Sequence, residues 1–282
     1  MSKDINEGNI QRLLTIMRTL RDPQRGCAWD RRQTIVSIAP YTIEETYELV
    51  DAIEKSDAQG LRDELGDLLF HIVFYAHMAD EQGQFNFSDI VAAVCEKLER
   101  RHPHVFGAEQ TQDVEHVNRR WEEIKAAERR AKGADNSALS GVINALPGLV
   151  RARKLQQRAA QVGFDWVEIH GVIAKLREEL TELEQTLSES HARQLDEMGD
   201  TFFSLVNLAR HLDIDAETAM RHANNKFERR FRQMEHIAQT RGQKMQELGL
   251  EQLDALWNEA KREPAIDVND LNPPAQFGNF PA

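Results

Sequence analysis

With 47 acidic against 35 basic residues in 282, the chain carries a formal charge of −12, which argues against general nucleic-acid binding, because phosphate backbones require a basic face. No run approaches the roughly 20 apolar residues that cross a bilayer, which argues against a membrane partner. With Cys27 and Cys95 as its two cysteines and a polar stretch at 1–8 in place of a secretory leader, the chain is expected to be cytoplasmic, with no disulfide framework.

Apolar residues recur at three-and-four spacing over 10–20, 43–53, 61–78, 90–98 and 117–127, so helices are predicted there. The rhythm stops at KGADNSALSG (132–141), which reads as a linker, and resumes over 149–162, 172–187, 195–212, 216–240 and 250–262. From 263 onward four of the eight prolines cluster with little periodicity, which predicts a mobile tail. The expected organisation is an N-terminal domain over 1–131, a linker over 132–145, a C-terminal domain over 146–262 and the tail over 263–282.

The two halves repeat one another. Residues 44–48 read EETYE and 178–182 read EELTE; 64–70 read ELGDLLF and 197–203 read EMGDTFF. Fifteen residues separate the two acidic segments in the first half and fourteen in the second. A basic segment then follows in each, KLERR from Lys97 and KFERR from Lys226, and a Trp with Lys four residues on closes each unit, Trp121 with Lys125 and Trp257 with Lys261. A repeat of this kind marks one supersecondary module used twice.

Side chains three or four apart share a helix face, so Glu179 sits beside Glu182, with Glu178 on the flank, and Glu197 beside Asp200 on the next helix. Packed antiparallel, the two helices bring four carboxylates together, and like charges so close need a cation. Glu45, Glu48, Glu64 and Asp67 form the corresponding second set. Oxygen donors without His or Cys select a hard ion, Mg2+ with Mn2+ as a substitute, and Mg2+ keeps positions open for water and phosphate oxygens. Gly66 and Gly199, each just before the Asp, weaken their helices and suggest a close approach of backbone or ligand. A lone EExxE is more often a solvated helix face; two copies with matched spacing and matched downstream elements favour the metal reading.

EExxE followed by ExxD resembles the signature of the MazG-like nucleotide pyrophosphohydrolases, relatives of the all-α dimeric dUTPases. CAWDRRQT, LPGLVRARKLQQRAAQVGFDW and LDALWNEAK are similar to the flanks of the full-length two-domain type, and the resemblance runs from residue 10 to 262. Ala28 stands where Pro is expected and Ile35 where His is expected. The resemblance implies an all-α fold of tandem four-helix-bundle modules, a homodimer, and hydrolysis of nucleoside triphosphates to monophosphate and pyrophosphate. It implies metal at Glu179, Glu182, Glu197 and Asp200, with water attacking the α-phosphorus and Glu178 orienting or deprotonating it. Lys175, Asn224, Lys226 and Arg230 then serve the phosphates, Trp257 stacks on the base and Lys261 reaches phosphate from the next turn.

Each of these residues has a plainer reading: a solvated basic helix for Lys226 and Arg230, core packing for Trp257. HPH at 102–104 lacks a second ligand pair and reads as a loop, and Cys27, with no base partner in view, reads as a packed thiol. Two rivals stand beside broad hydrolysis: a base-specific pyrophosphohydrolase for dUTP, dCTP or phosphoribosyl-ATP, and a non-catalytic helical scaffold with a structural divalent ion. Tyr41 aligns with Lys175, and Cys95 and Glu96 with Asn224 and Asn225, so the C-terminal domain is expected to carry most of the activity.

Overall fold

The computed structural model describes residues 7–107, 113–131 and 137–262. The tail expected over 263–282 and the first half of the KGADNSALSG linker, 132–136, lie outside these residues. Among the described residues every regular element is helical and there is no strand. The chain divides into two compact units, the first running to Trp121 and the second beginning at Glu122, inside one helix.

In the first unit, α1 (Glu7–Leu20), α2 (Ile35–Glu54), α3 (Ala58–Glu81) and α4 (Phe87–Arg101) are followed by the single turn α5 (Pro103–Phe106) and the start of α6 (Val114–Ala131). Local chemistry sets the helix starts. Thr34 and Ser37 form a reciprocal capping box at α2, and Asp57 caps α3 by accepting from the Gln59 and Gly60 N–H groups. A Cβ on Gly60 would lie 2.7 Å from Asp57 Oδ2, so the cap needs glycine there. Met17, Ile38, Val73, Phe74 and Met78 form the core between α1, α2 and α3, with Leu13, Leu14, Phe70 and Phe87 packed against it.

The second unit holds α7 (Gly148–Ala160), α8 (Ile169–Gln185), α9 (His191–His211), α10 (Ala216–Thr240) and α11 (Leu250–Ala260). Helix α9 packs on α8 and α7, and α10 packs on α11. An apolar cluster of Met234, Ile237, Ala238, Leu256 and Ala260 joins α10 to α11. The inward face of α9 is largely polar instead: beside Val206, Glu197, Thr201, Ser204 and Asn207 are all buried, as is Gln156 of α7, whose amide donates to the Phe203 carbonyl at 2.8 Å.

Candidate metal and phosphate site

The loop into α8 is fixed by packing and charge. The Trp166 indole lies across the first turn of α8, where a Cβ on Gly171 would fall 2.4 Å from Trp166 Cδ1, so only glycine lets it in. One residue earlier, Asp165 accepts from both terminal nitrogens of Arg210 at 2.5 and 2.8 Å and contacts His211 at 3.0 Å, tying the loop to the end of α9. The Arg210 hydrogen bonds, reinforced by His211, pull the Asp165 carboxyl down to about 2 against its burial.

A short turn, Thr186–Ser188, folds α9 back along α8, and Ser190 caps α9. Glu179 and Glu197 are thereby buried, at 5% and 7% exposure, while Asp200 stays in solvent, and an oxygen of each lies within 4.8 Å of the others. Buried carboxylates require partners. Lys175 Nζ lies 2.7 Å from both Glu178 and Glu179, and these two hydrogen bonds push the Lys175 ammonium well above its ordinary range. Arg193 Nη2 donates to Glu197 at 2.6 Å and Nη1 reaches Asp196 at 3.2 Å. Arg193 was not singled out from sequence, yet it precedes Glu197 by one turn as Lys175 precedes Glu179, and that shared spacing was the signal. Three carboxylate oxygens converging without His or Cys form a donor set that fits a hard divalent cation.

In the first unit Glu45, Glu48 and Glu64 converge within the same 4.8 Å. Neither position that supplies a cation in the second unit does so here: Tyr41 stands for Lys175 and Gly60 for Arg193. Burial, then the charges of Asp67 and Glu48 and a shared hydrogen bond with Glu64, raise the Glu45 carboxyl to about 6.

The other expected residues are placed as follows. Glu182 is half-buried on α8 outside the close group of three; Asp67 is likewise outside the first-unit trio, although its charge reaches Glu45. Glu178 is exposed at the site's edge. Asn224 and Lys226 are exposed and Arg230 half-buried along α10, and no hydrogen bond or ion pair among the described residues joins them to the carboxylates. Trp257 packs on the α10–α11 cluster with its ring 5.3 Å from that of Phe227, and Lys261 is exposed just beyond α11.

Three expectations need correction. Of the two approaches expected at Gly66 and Gly199, that of protein backbone is not found: among the described residues a Cβ on either glycine would meet nothing within 4 Å. Cys27 is exposed rather than packed. In HPH, Pro103 opens the single helical turn α5 instead of a loop, and His102 is occupied by the Leu98 carbonyl at 2.7 Å and by an edge contact to Trp121 at 5.2 Å.

Paired helices presenting facing carboxylates in each of two all-helical units define a class of oxygen-donor sites that could hold a metal ion. The MazG nucleotide pyrophosphohydrolase domain family matches this chain twice, at residues 33–106 and 168–235, the two segments that carry the acidic helices. A nucleoside triphosphate pyrophosphohydrolase of Escherichia coli (strain K12) is 51% identical over 257 residues, covering 90% of this chain and 97% of that protein. The nucleoside triphosphate pyrophosphohydrolase/pyrophosphatase MazG of Thermotoga maritima is 45% identical over 253 residues, 89% of this chain and 95% of its own length. A crystal structure of a mazG-related protein from Thermotoga maritima matches with a TM-score of 0.36 and 28% identity over 41% of this chain and 98% of that one. The chain belongs to the MazG nucleotide pyrophosphohydrolase family.

Proposed function

We propose that the protein hydrolyses nucleoside triphosphates to nucleoside monophosphate and pyrophosphate, with Mg2+ as the natural cation and Mn2+ as a substitute. The observation that carries this reading is the convergence of Glu179, Glu197 and Asp200, with two of the three buried and each buried one held by its own side-chain cation. Glu182, three residues beyond Glu179 on the same helix, is the fourth carboxylate assigned to the set. A divalent cation bound here supplies charge neutralisation for the phosphates and lowers the pKa of water in its shell. Glu178, exposed at the rim, orients the attacking water or takes its proton. Lys175 and Arg193 can turn from carboxylate to phosphate oxygens, and Asn224, Lys226, Arg230 and Lys261 are further candidates for the triphosphate. The proposed base range is broad, because Trp257, packed on Phe227, offers at most a face for stacking, which accepts any base.

Leu195, Met198, Phe202 and Leu205 lie exposed along α9 at alternating three-and-four spacing, with Leu212 exposed just beyond its end, an apolar seam that supports a homodimer. Two exposed free thiols fit a reducing cytoplasm.

The experiment is hydrolysis of the eight common nucleoside triphosphates in water labelled with heavy oxygen, with and without Mg2+. Monophosphate and pyrophosphate in equal amounts, with label in the monophosphate, is the expected result. Orthophosphate and diphosphate would mean that the γ-phosphate is the one attacked. Turnover of a single nucleotide would favour the base-specific alternative, and no turnover at all the scaffold with a structural ion.

A further inference from the structure

Each buried carboxylate of the second-unit site is held by a cation rooted one turn earlier on its own helix. Lys175 reaches Glu179 and Arg193 reaches Glu197, at 2.7 and 2.6 Å. The carboxylate side chains are 7% and 9% exposed, but those of Lys175 and Arg193 are 35% and 53% exposed. The anions are therefore fixed and the cations are free to leave on long, solvated stems.

Charge and geometry then compete. Glu179, Glu197 and Asp200 contribute three negative charges, and Lys175 and Arg193 return two, which they share with Glu178 at 2.7 Å and with Asp196 and Glu189 at 3.2 and 3.6 Å. A divalent ion placed among the trio's oxygens with both side chains still docked would compete with them for the Glu179 and Glu197 lone pairs. We propose that Lys175 and Arg193 are resident counter-ions which a divalent metal must displace, so that metal and triphosphate bind cooperatively in the second unit. The metal frees the two side chains, and the phosphate oxygens give them new partners; by linkage each ligand strengthens the other equally. The substrate accordingly enters as its metal complex, and free metal alone binds poorly. The first unit, with Tyr41 and Gly60 at the two positions, has no such competition. This inference rests on the metal-dependent reading above.

The test is calorimetric titration with Mn2+ alone, on the full chain carrying Glu45→Gln and Glu48→Gln so that only the second-unit site is read. Lys175→Met and Arg193→Met should each tighten Mn2+ by about 3- to 10-fold, the scale of one partly exposed ion pair. Lys175→Arg, which keeps a resident cation, should bind as the parent does. A non-hydrolysable α,β-methylene triphosphate should tighten Mn2+ in the parent and do so less in the Met variants. Lys175→Gln and Arg193→Gln serve if the Met variants fail to fold. Unchanged or weaker Mn2+ binding in both variants, with binding still abolished by Glu179→Gln, would overturn the counter-ion inference and leave the metal site standing. No Mn2+ binding that Glu179→Gln removes would overturn the metal site itself, and this inference with it.

Discussion

Glu45 and Glu179 occupy the same place in their modules and meet the same electrostatic problem by different routes. Glu179 has Lys175 at 2.7 Å, whereas Glu45 faces Tyr41's position without a cation and holds its proton up to about pH 6, chiefly through burial. A folded-state value raised above the ordinary 4.5 means that stability is fully present below about 4.5 and is lost as pH rises through 6. Glu45→Gln cannot ionise, so in chelator the variant should match the parent near pH 5 and melt higher at pH 8, by about one to a few degrees. Equal melting temperatures at pH 8 would show that Glu45 is relieved by something other than its proton. Glu179→Gln should behave differently, because it removes a charge from the cation's donor set while an amide oxygen can still accept from Lys175. Its melting temperature should hardly move and its triphosphate hydrolysis should fall by roughly 100-fold or more. Full activity in Glu179→Gln would remove this carboxylate from the mechanism.

At the scale of the element, α9 departs from the usual amphipathic rule, burying Glu197, Thr201, Ser204 and Asn207 beside Val206 while Leu195, Met198, Phe202 and Leu205 face solvent. An apolar seam of that length is costly in water and would be relieved by the second copy proposed above. Phe202→Glu places a charge in the proposed seam, so light scattering should show a shift from dimer toward monomer; an unchanged mass would place the dimer contact elsewhere. The end of the same helix is tied down by Arg210 and Asp165. Because Asp165 is depressed to about 2 from 3.8, the clasp contributes fully above about pH 4 and is lost as pH falls toward 2. Asp165→Asn should therefore be less stable at neutral pH and show a flatter loss between pH 4 and 2, followed by circular dichroism. The helices themselves were legible in the sequence because a 3.6-residue period survives any tertiary context: 216–240 was read end to end as α10, and 117–127 fell inside α6. The facing carboxylates were legible for the same reason, since a face is a local property. What spacing could not give is which way a side chain turns once packed. Glu182 shares the EExxE spacing yet lies outside the close group, Trp257 turns onto Phe227, and Gly171 makes sense only with Trp166 lying over it.

At the scale of the whole molecule, the duplicated module raises the question of which unit does the chemistry, because each retains a converging carboxylate trio. The trios alone cannot decide it. Triphosphate binding in a partly desolvated site needs cations, and each missing one weakens both the bound state and the transition state. The second unit supplies Lys175 and Arg193 in contact with its carboxylates, with Asn224 and Asn225 on α10 in place of Cys95 and Glu96 on α4. The first unit supplies Tyr41 and Gly60, and its crowded carboxylates, with burial, raise Glu45 to about 6, so that above this pH their charges go uncompensated by either position. A proton held at lower pH relieves repulsion but offers nothing to a phosphate. We therefore expect the C-terminal unit to carry most of the hydrolysis, with the N-terminal unit assisting assembly or regulation. The comparison is Glu45→Gln/Glu48→Gln against Glu179→Gln/Glu182→Gln in the full chain, assayed at saturating Mg2+ and triphosphate so that weakened binding does not pass for lost chemistry. The first pair should retain most of the parent rate, and the second should lose roughly 100-fold or more. The opposite pattern would move the active site to the first unit and show that the cations beside Glu179 and Glu197 serve only to neutralise buried charge.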